Sequence, residues 1–308
     1  MKRNQLVFVS YFNRFYLRKG LLLYLSLRRW VESGDEFIFF CYDKRSLEIL
    51  KKLSFPNLTA IPIQAVEKWS GIYSECFKGR STVEFMFTMT PFVLRYTRHI
   101  RPLKRMIYVD SDYYFYSSPN ELVIKTENCD LSFVEHGFPE KYQYLDAHGK
   151  YNVGWNSFAP TRAATESINC WCLRTVEWCY DRIEEEKYAD QKYLDNLAKR
   201  CHFLPVKSET MGLAEYNFFQ YNIQYANSNN ITKPPQITSN GKSIISWHHH
   251  GVVENEDGTF LVRINIKEAQ QSDLYKSIYS FYTGQLKEIA RRLQQINLCP
   301  GYGNSRRG

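Results

Sequence analysis

The sequence has no Cys-x-x-Cys pair and no apolar run that approaches the length of about eighteen residues needed to cross a membrane. The first absence argues against a structural zinc site, because such sites are usually built on paired cysteines. The eight cysteines are scattered along the chain, which is typical of buried thiols in a reducing compartment. The apolar run at residues 6–9 is too short for a signal peptide, so we expect a cytoplasmic protein.

Internal repeats and low-complexity blocks are absent as well. The 308 residues can bury a sizeable core, and they fit one large domain or one domain with an appendage. The net charge of +8 is moderate and permits an anionic partner such as a nucleotide or a lipid surface, and we predict no nucleic acid partner. Aromatic residues are abundant, with 23 Tyr and 20 Phe, and they either pack the core or line a site for flat bases or sugar rings.

In the first half of the chain, short apolar runs alternate with helical patterns. The runs predict strands at residues 6–10, 36–42, 58–61 and 105–109. The helical patterns span residues 17–31, 46–53 and 81–97, and residues 62–79 have no regular pattern. This alternation predicts an α/β fold with a parallel, doubly wound sheet.

The second half is less regular. It predicts strands at residues 131–134, 151–158 and 244–247, and helices at residues 161–183, 190–197 and 272–296. Residues 227–242 are typical of a polar loop, and residues 301–308 of a disordered tail. The last helix is basic and amphipathic, so its apolar face either packs on the rest of the protein or lies on an anionic membrane.

The tripeptide Asp110-Ser111-Asp112 follows the predicted strand at residues 105–109 directly. In an open α/β sheet, ligands bind outside the carboxyl ends of the strands. Two carboxylates at such a place can hold Mg²⁺ or Mn²⁺ together with the phosphates of a substrate. The alternative is a turn in which the two aspartates cap the next element.

Three consecutive histidines, His248-His249-His250, end the predicted strand at residues 244–247 and precede Gly251. In an extended chain, His248 and His250 point the same way and His249 points the other way. One of the first two could complete the coordination of a metal held by the aspartates. A purely structural role is the alternative, and the sequence does not choose between His248 and His250.

Two further motifs place polar groups beside predicted elements. Asn152 and Gly154 lie within the predicted strand at residues 151–158, where a glycine marks either a bulge or the close approach of a ligand. Asp190 and Gln191 open a predicted helix. Asp190 is therefore either an N-cap or an acceptor for sugar hydroxyls.

Taken in order, these motifs resemble those of GT-A glycosyltransferases. The set comprises Ser10-Tyr11 after the first strand, Asp110-Ser111-Asp112, the segment 151–154, Asp190-Gln191 and the spacing from His248 to Gly251. The resemblance is to glycosyltransferase family 8, which includes glycogenin and bacterial lipopolysaccharide galactosyl- and glucosyltransferases. The segments 151–158, 177–181 and 189–195 also resemble bacterial nucleotide-diphospho-sugar transferases linked to surface polysaccharides.

The resemblance implies a GT-A catalytic domain at residues 1–251, with a mostly parallel sheet flanked by helices. Residues 252–308 would form an extension with the amphipathic helix and the disordered tail. It also implies a metal site of Asp110, Asp112 and His248. The other implied contacts are with the donor. Ser10 and Tyr11 would lie near the base and ribose, and Asp110 would also lie near the ribose with Ser111 beside it. Asn152, Gly154 and Asp190 would lie at the sugar, and Gln191 near the anomeric carbon.

The chain departs from the family pattern at two places. Family 8 usually has Asp-Gln-Asp where this chain has Asp190-Gln191-Lys192. The family also has Lys-Pro-Trp shortly after His-x-x-Gly, whereas Val252-Val253-Glu254 follows here. A cation for the diphosphate must therefore come from elsewhere, and Arg80 and Arg18 are candidates.

Together with the resemblance, the sequence predicts a retaining glycosyltransferase that depends on Mn²⁺ or Mg²⁺ and moves a hexose from a nucleotide diphosphate sugar, with UDP expected. The acceptor would be a glycan or lipid-linked glycan in surface polysaccharide synthesis, with the enzyme in the cytoplasm or peripheral at the inner face of the membrane. One alternative is a sugar nucleotidyltransferase, although residues 9–14 lack the glycines of its phosphate loop. The other is a catalytically inactive carbohydrate-binding protein of the same fold.

Overall fold

The structure is a computed structural model that describes residues 4–226, 234–255 and 258–300. The strands are β1 (Leu6–Phe12), β2 (Glu36–Cys41), β3 (Leu58–Pro62), β4 (Arg105–Val109), β5 (Tyr113–Phe115), β6 (Leu131–Glu135), β7 (Tyr151–Phe158), β8 (Ile223–Ala226), β9 (Gln236–Ser239), β10 (Lys242–Ser243), β11 (Ser246–His248), β12 (Val252–Glu254) and β13 (Phe260–Val262). The α-helices are α1 (Leu17–Leu27), α2 (Lys44–Leu53), α3 (Ile63–Ser70), α4 (Thr82–Ile100), α5 (Asn120–Lys125), α6 (Arg162–Glu177), α7 (Leu194–Leu197), α8 (Lys267–Gln271) and α9 (Asp273–Gln295). Short 3₁₀ segments occur at Ser74–Cys76, Glu140–His148 and Phe218–Gln220.

A six-stranded sheet in the order β3-β2-β1-β4-β7-β6 forms the centre of the molecule. The pairs β3–β2, β2–β1 and β1–β4 are parallel, whereas β7 runs antiparallel to both of its neighbours. Strands β1, β2 and β4 are almost wholly buried, as expected for strands covered by helices on both faces. The predicted α/β class with a mostly parallel sheet is therefore confirmed.

The two faces of the sheet bury separate apolar clusters. Phe8 of β1 packs with Leu21 of α1 on one face, whereas Val7 and Val9 belong to the cluster on the other face with Met89 of α4. This division follows from the alternation of side chains along a strand. Helix α6 packs beside α4 on the second face, so the sheet has a helical layer on each side.

A small two-stranded sheet brings distant parts of the chain together next to the central sheet. Strand β5 pairs antiparallel with β11, and Tyr113 lies opposite His248. The backbone N–H of His249 also donates to the carbonyl of Asp112 at 2.9 Å. Because β5 starts just after Asp112 and β11 ends at His248, this pairing places the histidine beside the aspartates.

The C-terminal helix α9 packs on the central part of the molecule, against α1. Its buried residues Tyr275, Ile278, Tyr282 and Leu286 belong to the same apolar cluster as Phe8 of the central sheet. Of the two predicted roles for its apolar face, the structure shows packing against the protein. None of the helices in the described part of the chain is both long and apolar enough to span a membrane.

Two segments that we predict to lack regular structure contain it, so these two predictions are wrong. Helix α3 lies within residues 62–79, because Ile63 and Val66 are spaced to share one buried helical face. Strand β9, which pairs with β10, lies within residues 227–242, and its Ile237 is buried. The rest of that predicted loop at residues 227–233, and the predicted tail at residues 301–308, lie outside the described residues.

Three predicted helices are shorter than expected. Helix α1 ends at Leu27 and not at residue 31. In the other two, tertiary hydrogen bonds take backbone groups that a longer helix would use. Helix α6 ends at Glu177, and the carbonyl of Trp178 accepts instead from the hydroxyl of Tyr193 at 2.8 Å. The helix expected from residue 190 begins at Leu194, and the carbonyl of Asp190 accepts from the indole N–H of Trp171 at 2.8 Å.

Candidate active site

Asp110, Asp112 and His248 form a cluster that we call the metal cluster. One ligand atom from each residue lies within 4.8 Å of the other two. His248 Nε2 is 3.2 Å from Asp112 Oδ1, close to the roughly 3 Å that separates two ligands of one ion bound at about 2.1 Å. Two carboxylates and an imidazole suit Mn²⁺ and also permit Mg²⁺.

The two aspartates of the metal cluster have pKa values shifted in opposite directions. Burial together with the charge of Asp112 raises the pKa of Asp110 to about 6. Burial also acts to raise the pKa of Asp112, but the charge and hydrogen bond of His248 and the charges of Lys19 and His250 together outweigh it, so this pKa is lowered overall. Asp112 in turn raises the pKa of His248 against the effect of burial. A bound cation would stabilise the ionised form of Asp110, so the cluster fits a divalent metal.

A buried lysine that the sequence did not indicate lies beside the metal cluster. Lys19 of α1 places Nζ 3.8 Å from Asp112 Oδ2 and 4.0 Å from the ring centre of Tyr16. Burial lowers the pKa of Lys19, and the charge of Asp112 opposes that shift. No pattern of spacing within α1 distinguishes Lys19 from the other residues of that helix, so only the fold reveals it.

The three consecutive histidines have three different environments. His248 faces Asp112, whereas the Nε2 atom of His250 lies 3.1 Å from Oε1 of Glu215. His249 points away from both, and its ring stacks on Tyr282 at 3.9 Å. The structure therefore places His248, and not His250, with the aspartates, and it gives His249 a packing role.

A cleft of about 660 Å³ opens beside the metal cluster. Among the residues that the sequence indicated, it is lined by Tyr11, Asp110, Asn152, Asp190, Gln191, His248 and His250. Residues that the sequence did not indicate complete it, including His136, Phe138, His148, Glu215, Tyr216 and Asn265. His136 comes directly after β6, so the strand-end argument used for Asp110 could have identified it, whereas no motif marks Glu215.

Within the cleft, the side chain of Asn152 folds back onto its own strand. Its Oδ1 accepts a hydrogen bond from the backbone N–H of Gly154 at 2.6 Å, and its Nδ2 lies 3.1 Å from Nε2 of His136. A Cβ atom at Gly154 would lie 2.4 Å from Asn152 Oδ1 and 2.4 Å from the ring of Tyr113. The space beside this glycine is therefore filled by Asn152 and Tyr113.

Asp190 and Gln191 lie in a turn, and Asp190 is not the N-cap of α7, because Tyr193 occupies that position. Asp190 is 4% exposed, and burial raises its pKa to about 7, while a hydrogen bond from Thr90 opposes the shift. The side chain of Gln191 bridges two segments: its Nε2 donates to the carbonyl of His148 at 3.0 Å, and its Oε1 accepts from the N–H of Val153 at 3.3 Å.

Of the other residues predicted to contact the donor, one lines the cleft and two do not. The hydroxyl of Tyr11 bonds to Thr90 Oγ1 at 2.8 Å, and its ring lines the cleft. Ser10 is fully buried in β1 with its side chain on the opposite face from Tyr11. Ser111 is also buried, and neither serine lines the cleft.

Neither candidate for the diphosphate cation lines the cleft. Arg80 donates to Thr88 Oγ1 at 2.7 Å and to the carbonyls of Thr175 and Val176 at 2.8 Å each, so its guanidinium joins α4 to α6. Arg18 forms a buried ion pair with Glu254 and ties α1 to β12. Both arginines therefore have structural partners away from the predicted sugar contacts.

No family model matches the chain. Two proteins of Bacillus subtilis (strain 168) are similar to it in sequence, and both are described as uncharacterized. YfnF is 23% identical over 297 residues, which cover 91% of each chain. YfnD is 22% identical over 199 residues, which cover 62% of this chain and 63% of YfnD.

Solved glycosyltransferase structures share the fold. An active-site mutant of LgtC aligns with a TM-score of 0.54 and 12% identity over 90% of this chain and 95% of LgtC. The glycosyltransferase GlyE of Streptococcus pneumoniae TIGR4 aligns with a TM-score of 0.51 and 14% identity over 96% of this chain and 64% of GlyE. The chain therefore has the GT-A fold, and the fold predicted from the resemblance is confirmed.

Proposed function

We propose that this protein is a metal-dependent retaining glycosyltransferase. It would move a hexose from a nucleotide diphosphate sugar, with UDP as the nucleotide, to a glycan or lipid-linked glycan in surface polysaccharide synthesis. The observation that carries the proposal is the metal cluster of Asp110, Asp112 and His248 at the edge of a GT-A sheet, beside a cleft that contains Asn152 and Asp190.

The metal cluster would hold Mn²⁺ or Mg²⁺, which supplies positive charge for the leaving diphosphate. Asn152 and Asp190 would hydrogen-bond the hydroxyls of the donor sugar, and Gln191 would lie near the anomeric carbon. Because Gln191 is held on both sides by backbone groups, its amide is already oriented before a substrate binds. We propose front-face attack by the acceptor hydroxyl, guided by the leaving phosphate, without a protein nucleophile.

A screen of nucleotide sugars for hydrolysis, with and without Mn²⁺, tests this function. We expect turnover of at least one UDP-hexose with Mn²⁺ and none after treatment with a chelator. Hydrolysis of every donor at full rate in chelator would contradict the metal requirement. Synthesis of a nucleotide sugar from a nucleoside triphosphate and a sugar phosphate would favour the nucleotidyltransferase instead, and an absence of any turnover would favour the inactive binding protein.

Retention is tested separately by NMR of the first-formed product. We expect the anomeric configuration of the donor to be kept in the product. An inverted product would overturn the retaining assignment while leaving the fold and the metal requirement intact.

We also propose that α9 gives the enzyme a peripheral contact with an anionic membrane. Its apolar face stays on the protein, within an extension that we assign to residues 252–308, and its exposed Lys276, Lys287, Arg291 and Arg292 would face the lipid. Arg291 and Arg292 share Glu288, which reduces their net charge. Each cation near an anionic surface contributes about 1 kcal/mol to binding.

Co-sedimentation with anionic and neutral vesicles at low salt tests this contact. Removing α9 would expose the core, so charge reversal is the better change. We expect Lys276→Glu with Lys287→Glu to weaken binding to anionic vesicles without loss of donor hydrolysis. Equal sedimentation of the native chain with neutral and anionic vesicles would contradict the proposal.

A further inference from the structure

His136 lines the cleft and is fixed by its neighbours. Its ring stacks on Phe138 at 4.8 Å with an angle of 10° between the planes. Its carbonyl accepts from the side chain of Asn217 at 2.8 Å, and its backbone N–H donates to the carbonyl of Lys150 at 2.9 Å. Both the backbone and the ring of His136 are therefore held in place.

The proton on the ring of His136 can be assigned from its partners. Nδ1 lies 2.9 Å from the carbonyl oxygen of Gly149, which can only accept, so Nδ1 carries the hydrogen. Burial lowers the pKa of His136 to about 3, so the ring holds a single proton near neutral pH. Nε2 is therefore a hydrogen-bond acceptor.

That acceptor fixes the side-chain amide of Asn152. Since Nε2 of His136 accepts, the atom of Asn152 that lies 3.1 Å from it must be the donating Nδ2. The other end of the amide accepts from the N–H of Gly154 at 2.6 Å. The two bonds agree on one orientation, in which Oδ1 faces the strand and the second N–H of Nδ2 has no partner among the described residues.

We propose that His136 is a positioning residue that orients Asn152 so that an N–H group, and not an oxygen, faces the donor sugar. The sugar atom at that place must then be an acceptor, such as a hydroxyl or ring oxygen of a hexose. This inference rests on the proposed function, because it takes the cleft as the donor site. It adds a residue whose own side chain acts only through Asn152.

Two substitutions of His136 separate its two bonds. Glutamine can place an oxygen where Nε2 of the ring lies and can still accept from Asn152. Asparagine can replace only Nδ1, so it keeps the bond to Gly149 and loses the bond to Asn152. The readouts are hydrolysis of UDP-glucose or UDP-galactose, whichever the native chain turns over faster, and calorimetric binding of UDP, which lacks the sugar.

We expect His136→Asn to lower kcat/KM for the UDP-hexose by about 10- to 100-fold, as for the loss of one buried hydrogen bond. His136→Gln should stay within about threefold of the native value. The Kd for UDP with Mn²⁺ should stay within about twofold in both variants, because UDP lacks the sugar that Asn152 is proposed to contact. In an Asn152→Ala background, His136→Asn should have no further effect.

Three results would each overturn the proposal. They are native turnover by His136→Asn, an equal loss of turnover in both His136 variants, and independent effects of the changes at residues 136 and 152. A parallel loss of UDP binding would overturn it too, because it would indicate general damage to the cleft. If the native chain neither binds UDP nor turns over either UDP-hexose, the proposed function itself fails, and that result precedes any comparison of variants.

Discussion

The metal cluster is built on strand ends, whereas another part of the lining of the cleft is built largely on loops. Asp110 follows β4, Asp112 precedes β5 and His248 ends β11, so ladder hydrogen bonds fix all three positions. The second region, which we call the loop wall, comprises His136, Phe138, His148, Asp190, Gln191, Glu215 and Tyr216. Some of its side chains are held by individual hydrogen bonds to backbone groups, as with Gln191 and His148.

This difference assigns different tasks to the two regions. The metal cluster concentrates charge, and the ladder of β5 and β11 holds its ligands close together before an ion binds. Two groups of the loop wall have reduced ionisation, because burial lowers the pKa of His136 and raises the pKa of Asp190. We therefore expect changes in the metal cluster to abolish turnover and changes at the loop wall to reduce it in steps.

The largest expected effect is that of Asp112→Asn. The amide keeps the shape of the side chain but removes the charge that pairs with His248, and we expect turnover of a UDP-hexose to fall by about 10³-fold or more. Hydrolysis assays at saturating Mn²⁺ provide the measurement. Asp273→Asn on the surface of α9 is the matched control and should keep native activity; substantial turnover by Asp112→Asn would remove the metal cluster from the mechanism.

A substitution of Asp190 in the loop wall should reduce turnover less than Asp112→Asn does. It should also change how the free energy of unfolding depends on pH. The folded pKa of Asp190, about 7, lies above the ordinary value of 3.8, so the folded protein keeps a proton that the unfolded chain releases. The free energy of unfolding of the native chain should therefore fall as the pH rises from about 4 to about 7. Asp190→Asn cannot ionise, so it removes this dependence.

We expect Asp190→Asn to lower turnover by about 100-fold and to gain stability relative to the native chain by roughly 2 kcal/mol more at pH 8 than at pH 5. Urea unfolding in chelator at the two pH values, together with hydrolysis assays, measures both effects. An unchanged stability difference between pH 5 and pH 8 would show that Asp190 is not held in the buried, protonated form.

The smallest expected effect on turnover is that of Gly154→Ala, which acts on the loop wall through Asn152. The added Cβ would meet Asn152 Oδ1 and the ring of Tyr113, both at 2.4 Å. We expect a loss of about 2 kcal/mol in the free energy of unfolding and about tenfold in turnover. Gly284→Ala in α9, where no atom lies within 4 Å of the added Cβ, should instead stabilise by about 0.5–1 kcal/mol. Equal stability of the two variants would contradict the packing around Asn152.

The same contrast explains which features could be predicted from the sequence. The aspartates and the run of histidines could be identified because apolar runs mark the strands that carry them, whereas the structure was needed to choose His248 over His250. The sequence also suggested Asn152 and Gln191, but only through their place in an ordered set of motifs. The hydrogen bond from Asn152 to His136 joins residues that are 16 positions apart in the chain and lie on or next to different strands, so no periodicity in the sequence predicts it.

Features that depend on tertiary contacts could not be predicted from the sequence. Lys19 lies beside Asp112 only because α1 packs against β5. The charge of Arg80 and Arg18 makes both candidates for a diphosphate contact. In the structure, Arg80 donates to backbone carbonyls and Arg18 pairs with Glu254. The turn at Asp190 replaces a predicted helical start because the indole of Trp171 takes the carbonyl of Asp190.

The most direct test of the central claim is the position of a bound metal. Crystals soaked with Mn²⁺ and UDP, with data collected at the manganese absorption edge, would show where the ion lies. We predict one anomalous peak within about 2.5 Å of a carboxylate oxygen of Asp110, a carboxylate oxygen of Asp112 and Nε2 of His248. No peak at these three residues, or a peak bound elsewhere in the cleft, would contradict the account.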